Sequence, residues 1–151
     1  MNRLASIALL GLAASPLLIE AQSSPLLGNW REPTGTILRI EPCSNDLCVR
    51  IVFLRPDAPS TVDINNPDAS QRGHFLCGLV IGSQFHLTEP GRASGGSLYD
   101  PKSGNTYHGT MSVEGETLKL RGYIGFPIFG RTETWQRAPE SFSPCKTHPV
   151  N

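Results

Sequence analysis

An excess of charge is the first thing this sequence lacks. Thirteen Lys and Arg face thirteen Asp and Glu, and the formal net charge is zero. The chain therefore has no electrostatic footprint of a nucleic-acid binder, and no run of like charges supplies a local one. Long apolar runs are scarce too. The best of them, Leu4 to Leu12, is too short to cross the roughly 30 Å of bilayer hydrocarbon as a helix, so no membrane span is expected. A helical period is also missing, because nothing after Trp30 repeats apolar positions at helical spacing over several turns. What is abundant are turn formers: 15 Gly and 13 Pro in 151 residues.

The N-terminus reads as an export signal. Arg3 precedes the apolar run, and small residues close it before Gln22. The expected division is a signal peptide over residues 1–21, one domain over 22–137 and a C-terminal tail over 138–151. An exported chain is expected to be periplasmic or secreted and soluble once cleaved. Four cysteines in such a chain favour disulfides over metal or catalytic thiols. Cys43 and Cys48 bracket the turn-forming Ser44-Asn45-Asp46-Leu47 and should face each other across a hairpin. Cys77 and Cys145 would then tie down the tail, although a buried free Cys77 with a reactive Cys145 is the other arrangement the sequence permits.

Short apolar or alternating runs recur along the mature chain. They predict strands at Thr36 to Glu41, Val49 to Leu54, Leu76 to Ile81, Gln84 to Thr88, Ser97 to Tyr99, Thr106 to Val113, Thr117 to Tyr123 and Arg131 to Arg137. The signal is sharpest where Tyr107, Gly109, Met111 and Val113, then Leu118 and Leu120, alternate with polar neighbours. Glu114-Gly115-Glu116 and Asp100-Pro101-Lys102-Ser103-Gly104 read as tight turns. Eight strands in consecutive hairpins describe an all-β, single antiparallel up-and-down barrel. The long stretch Arg55 to Gly73 is expected to fold over one mouth, with a helical turn beginning near Asn66 and Pro67. The tail from Ala138 has no periodicity, and Cys145 is its expected anchor.

No complete catalytic motif is present. Asp63, Asn65 and Asp68 lack the glycine and bidentate Glu of a calcium loop, and serve turns better. His74, His86, His108 and His148 have no ligand spacing. Ser94-Gly95-Gly96-Ser97 lacks the Lys-Ser/Thr end of a phosphate loop and reads as a strand bend. No metal or cofactor is expected. An enzyme on the barrel rim would use Asp100, Arg131 and a nearby histidine, but no spacing demands it.

Gly28-Asn29-Trp30 at the start and Arg137 at the end of the last strand resemble lipocalins. There a basic side chain stacks over the first-strand indole, a contact worth about 1 kcal/mol. The resemblance implies that Trp30 and Arg137 close one barrel end. More of the chain resembles the bacterial exported family known as domain of unknown function 2147. The shared pattern runs through Cys43 and Cys48 ahead of Val49-Arg50-Ile51, Asn66-Pro67-Asp68 with Arg72, and Leu76-Cys77-Gly78. It continues through Gly95-Gly96, Tyr99-Asp100-Pro101 with Gly104 and Tyr107, Gly122-Tyr123-Ile124-Gly125, and Gly130-Arg131-Thr132-Glu133-Thr134-Trp135. Small residues at Ala93 and Ser94 and Asn105 after the turn glycine depart from it. The resemblance implies a lipocalin-like barrel and periplasmic residence, and brings no reaction.

The expected function is binding of a small apolar or amphipathic molecule inside the barrel. Ile51, Phe53, Tyr107, Met111, Leu118 and Leu120 would line it, with Arg131 or Tyr107 as polar anchor. The competing expectation is a solid barrel acting as a cell-envelope interaction or structural module, presenting the 55–73 loop or the Tyr99-Asp100-Pro101 hairpin to an envelope protein.

Overall fold

The computed structural model describes residues 24–145, and the predicted signal segment lies outside the described residues. Eight strands, β1 (Gly28–Arg31), β2 (Ile37–Cys43), β3 (Asp46–Phe53), β4 (Val80–Glu89), β5 (Arg92–Asp100), β6 (Asn105–Glu114), β7 (Thr117–Tyr123) and β8 (Arg131–Arg137), close into one antiparallel barrel. Each pairs with its sequence neighbours, and β8 returns to β1 through Trp30 opposite Arg137. The closing seam is short, two residue pairs between β1 and β8. Two single-turn 3-10 helices, Ala69–Gln71 and Pro127–Phe129, sit in the connections.

Alternation places the core. Met111 pairs with Leu120 and Val113 with Leu118 across β6 and β7, so the predicted apolar face of this hairpin points inward. The interior cluster joins Trp30, Leu38, Ile40, Val49, Ile51, Phe85, Met111, Leu118, Leu120 and Trp135. Phe85 is fully buried and lies on glycine backbone. A Cβ at Gly96 would stand 2.3 Å from its ring, and one at Gly109 would stand 2.7 Å away. The glycines of β5 and β6 thus make room for a phenyl ring. The expected bend in β5 falls at the same place, where the register shifts between Ala93 and Gly96 and Gly95 takes φ 71°.

The two ends differ. At one, residues 24–27 cross the barrel and insert the fully buried Leu26. Its carbonyl accepts the Trp30 indole N–H at 2.8 Å. Arg137 lies over that indole, 3.7 Å from the ring centroid, and donates to the carbonyls of Leu27 (2.9 Å) and Pro25 (2.8 Å). One guanidinium therefore stacks on the plugging tryptophan and holds the strap beneath it. The opposite end, reached by the long 54–79 connection and the β7–β8 loop, is open.

Two disulfides are present, Cys43–Cys48 across the β2–β3 turn and Cys77–Cys145 across 68 residues. No free cysteine remains among the described residues. The tail is fastened by more than Cys145. The Ala138 amide donates to the Asn29 carbonyl at 2.9 Å, and Phe142 meets Phe53 edge-on, with ring centroids 6.3 Å apart.

Three strands differ from the sequence expectation, and β5 begins at Arg92 rather than at Ser97. β1 is a strand, although only four residues long. The predicted runs Leu76 to Ile81 and Gln84 to Thr88 are a turn followed by one continuous strand, Val80–Glu89. Gln84 sits there at φ 59°, beside register shifts against β3. The helical turn of the long connection starts later than expected. Asp68 caps it, accepting the Ser70 amide at 2.9 Å.

Candidate functional site

Below the open end lies a cavity of about 790 Å³, within the size range of small-molecule sites. Leu38, Ile51, Ile81, Leu98, Leu120 and Trp135 form its apolar wall. The inward side of β8 runs from a cation at the mouth to an indole at depth. Arg131 faces Gly122, Glu133 faces Leu120, and Trp135 faces Leu118. The Trp135 indole donates to Glu133 at 3.1 Å. Arg131 makes no ion pair or side-chain hydrogen bond among the described residues.

The mouth is built rather than loose. Asp63, 1% exposed, accepts the Tyr99 hydroxyl at 2.6 Å and the Asn66 side-chain amide at 2.7 Å. Burial and the adjoining carboxylate push the Tyr99 phenol upward, so it remains a donor at physiological pH. Asn65 donates to the carbonyls of Pro101 (3.2 Å) and Lys102 (3.0 Å), docking the 54–79 connection onto the β5–β6 turn. Gly104 permits this approach, because a Cβ there would fall 2.1 Å from the Asn65 carbonyl oxygen. Across the mouth Glu32 is buried in the β1–β2 turn. Burial raises its pKa, but the Thr34 hydroxyl and amide, Lys102 and the Thr36 amide more than offset that and hold the carboxyl below its usual range.

Four predicted lining residues, Ile51, Tyr107, Leu120 and Arg131, come together on the cavity. Phe53, Met111 and Leu118 do not. A bulge between Ile37 and Leu38 slips the β2–β3 register, which carries Phe53 into a separate cluster with Ile37, Val52, Ala138 and Phe142. Met111 and Leu118 point inward but pack into the buried interior cluster rather than the cavity wall. Alternation reveals the face of a strand and not the depth along the barrel. The sequence reading missed Leu38, Leu98 and Trp135, all on inward positions of their strands. It also missed the β7–β8 loop, whose Ile124 and Phe129 line the mouth.

Of the residues considered for rim chemistry, Asp100 is engaged within its own turn while Arg131 is not. Asp100 accepts the Lys102 amide (3.0 Å) and the Ser103 hydroxyl (2.8 Å) within its turn, and no described histidine lines the cavity. Among the described residues no group of three or more His, Cys, Asp and Glu is placed to hold a metal ion, and no helix is long and apolar enough to cross a membrane.

A closed eight-stranded antiparallel barrel, plugged at one end by a tryptophan under an arginine and hollow at the other, is lipocalin-like in architecture. Residues 28–137 match the family described as uncharacterized proteins conserved in bacteria, DUF2147, and the chain belongs to that family. Among solved structures it is similar to protein HP1028 from the human pathogen Helicobacter pylori, described as belonging to the lipocalin family. The TM-score is 0.71 at 18% identity, over 78% of this chain and 86% of that one. At this identity the likeness speaks for fold alone. No curated protein matches the chain in sequence.

Proposed function

We propose that this protein binds a small amphipathic molecule in the open half of its barrel, in the oxidising space of the bacterial periplasm. The observation that carries the reading is the cavity itself, an apolar chamber of about 790 Å³ with the unpaired Arg131 at its mouth. Leu38, Ile51, Leu98 and Leu120 offer contact to a hydrocarbon or ring system. Arg131 offers charge-assisted hydrogen bonds to an anionic head, and the Tyr107 hydroxyl is a second polar group on the same wall. An acyl carboxylate or a similar lipid fragment meets both demands. Two disulfides and the signal-like N-terminus support the exported setting.

The probe for this reading is cis-parinaric acid, a fluorescent carboxylate with an acyl chain. It should bind at one site and accept excitation energy from Trp135 in the wall. Arg131→Ala should weaken binding by about tenfold, the worth of one charge-assisted contact, while Arg131→Lys should restore most of it. No saturable binding by the wild-type protein would sink the proposal, and equal affinity for Arg131→Ala would remove Arg131 as the anchor.

A further inference from the structure

The β7–β8 loop carries the most exposed apolar side chains among the described residues. Ile124 is 67%, Phe126 72%, Ile128 80% and Phe129 77% exposed, and residues 124–130 contain no charge. The largest apolar patch on a protein's surface is often a site of interaction. We propose that this loop inserts into one leaflet of a phospholipid bilayer and seats the mouth of the barrel on the membrane surface.

At the tip, part of the loop's backbone is satisfied from within the protein, which lowers the cost of entering lipid, where unsatisfied polar groups are costly. Arg121 reaches back to donate to the Pro127 carbonyl at 2.9 and 2.6 Å and to the Ile128 carbonyl at 3.3 Å. The amides of Phe129 and Gly130 return to the carbonyls of Phe126 and Pro127 at 3.1 Å each, and Pro127 has no amide hydrogen to satisfy. The fold-back is fixed at Gly130, where a Cβ would stand 2.6 Å from the Gly122 carbonyl oxygen. Hydrogen bonding thus turns inward while the apolar side chains project outward.

Size favours a leaflet over a protein. Four side chains of this kind present on the order of 500 Å² of apolar surface, below the roughly 800 Å² per partner of a stable protein interface. Position supplies the consequence. Ile124 and Phe129 belong both to the exposed tip and to the cavity wall, so an amphipathic molecule leaving the leaflet would meet apolar surface continuously into the barrel. Arg121 and Arg131 flank the loop at headgroup level. The loading route rests on the cavity reading above, whereas insertion does not.

Phe126 and Ile128 do not line the cavity, so their replacement separates the two ideas. In flotation with phosphatidylcholine vesicles, and with vesicles containing phosphatidylglycerol, the wild-type protein should rise with the lipid. The double variant Phe126→Ser/Ile128→Ser should lose about tenfold or more of that partition with an unchanged melting temperature. Its affinity for cis-parinaric acid should also be unchanged. In Ile128→Trp, brominated phosphatidylcholine should quench the new indole, while Trp30 and Trp135 stay buried as a constant background. Insertion is overturned if the wild-type protein stays with the lipid-free fraction, if the double variant floats as well as the wild type, or if the Ile128→Trp indole is not quenched. Self-association through the tip without lipid would overturn it equally.

Discussion

Trp30→Ala should lower the stability of the folded chain by about 3–5 kcal/mol, the range for emptying a large buried aromatic site. Trp30 is fully buried, and three interactions converge on it. Its ring packs in the interior cluster, its N–H satisfies the Leu26 carbonyl at 2.8 Å, and its face carries the Arg137 guanidinium at 3.7 Å. Truncation leaves a cavity at the plugged end and an orphaned carbonyl, and removes the stack on Arg137. Trp30→Phe keeps most of the volume and should cost distinctly less, chiefly the hydrogen bond and part of the cation–π contact, about 1–2 kcal/mol. Urea denaturation with matched slopes checks both. Equal losses for the two variants would mean that the hydrogen bond rather than packing closes this end.

Removing the Cys77–Cys145 bond should cost about 4 kcal/mol, against about 2 kcal/mol for Cys43–Cys48, because loop-closure entropy grows with the length of chain enclosed. The enclosed separations are 68 and 5 residues. The long bond also pins the end of the 54–79 connection to the tail, whose Cys145 amide donates to the Val52 carbonyl at 2.7 Å. Cys77→Ser/Cys145→Ser should therefore loosen the cavity mouth as well as destabilise the barrel, with faster hydrogen exchange at residues 54–79. The Cys43→Ser/Cys48→Ser variant should leave that exchange unchanged. Denaturation midpoints and exchange rates read the two effects separately. A larger loss from the short bond would contradict the loop-length argument.

The parts of the fold legible in sequence are those where local pattern and final position share one cause. β6 and β7 alternate cleanly because one face meets the interior and the other water, and their register follows. The Cys43–Cys48 pairing follows from a turn too short to place them elsewhere. Other features needed contacts between distant residues. β4 reads as two strands because Gly82 and Ser83 look like a turn, yet the chain passes through with a positive φ at Gln84. Phe53 reads as an interior residue because the β2–β3 bulge leaves no local mark in the alternation. The sequence Ile124-Gly125-Phe126-Pro127-Ile128-Phe129-Gly130 is as apolar as a core strand, and only closure of the barrel puts it outside. Its signal was the combination of two glycines and a proline around four large apolar residues, a composition suited to a turn and not to a strand.

The central claim is that the open half of the barrel holds a molecule. Native mass spectrometry of the mature protein collected from bacterial periplasm, compared with its denatured, disulfide-intact chain, tests this most directly. A discrete excess mass that departs on denaturation is expected, with a value in the range of a single lipid fragment or similar amphipathic metabolite. Equal masses from periplasmic protein that also fails to take up cis-parinaric acid would contradict the claim.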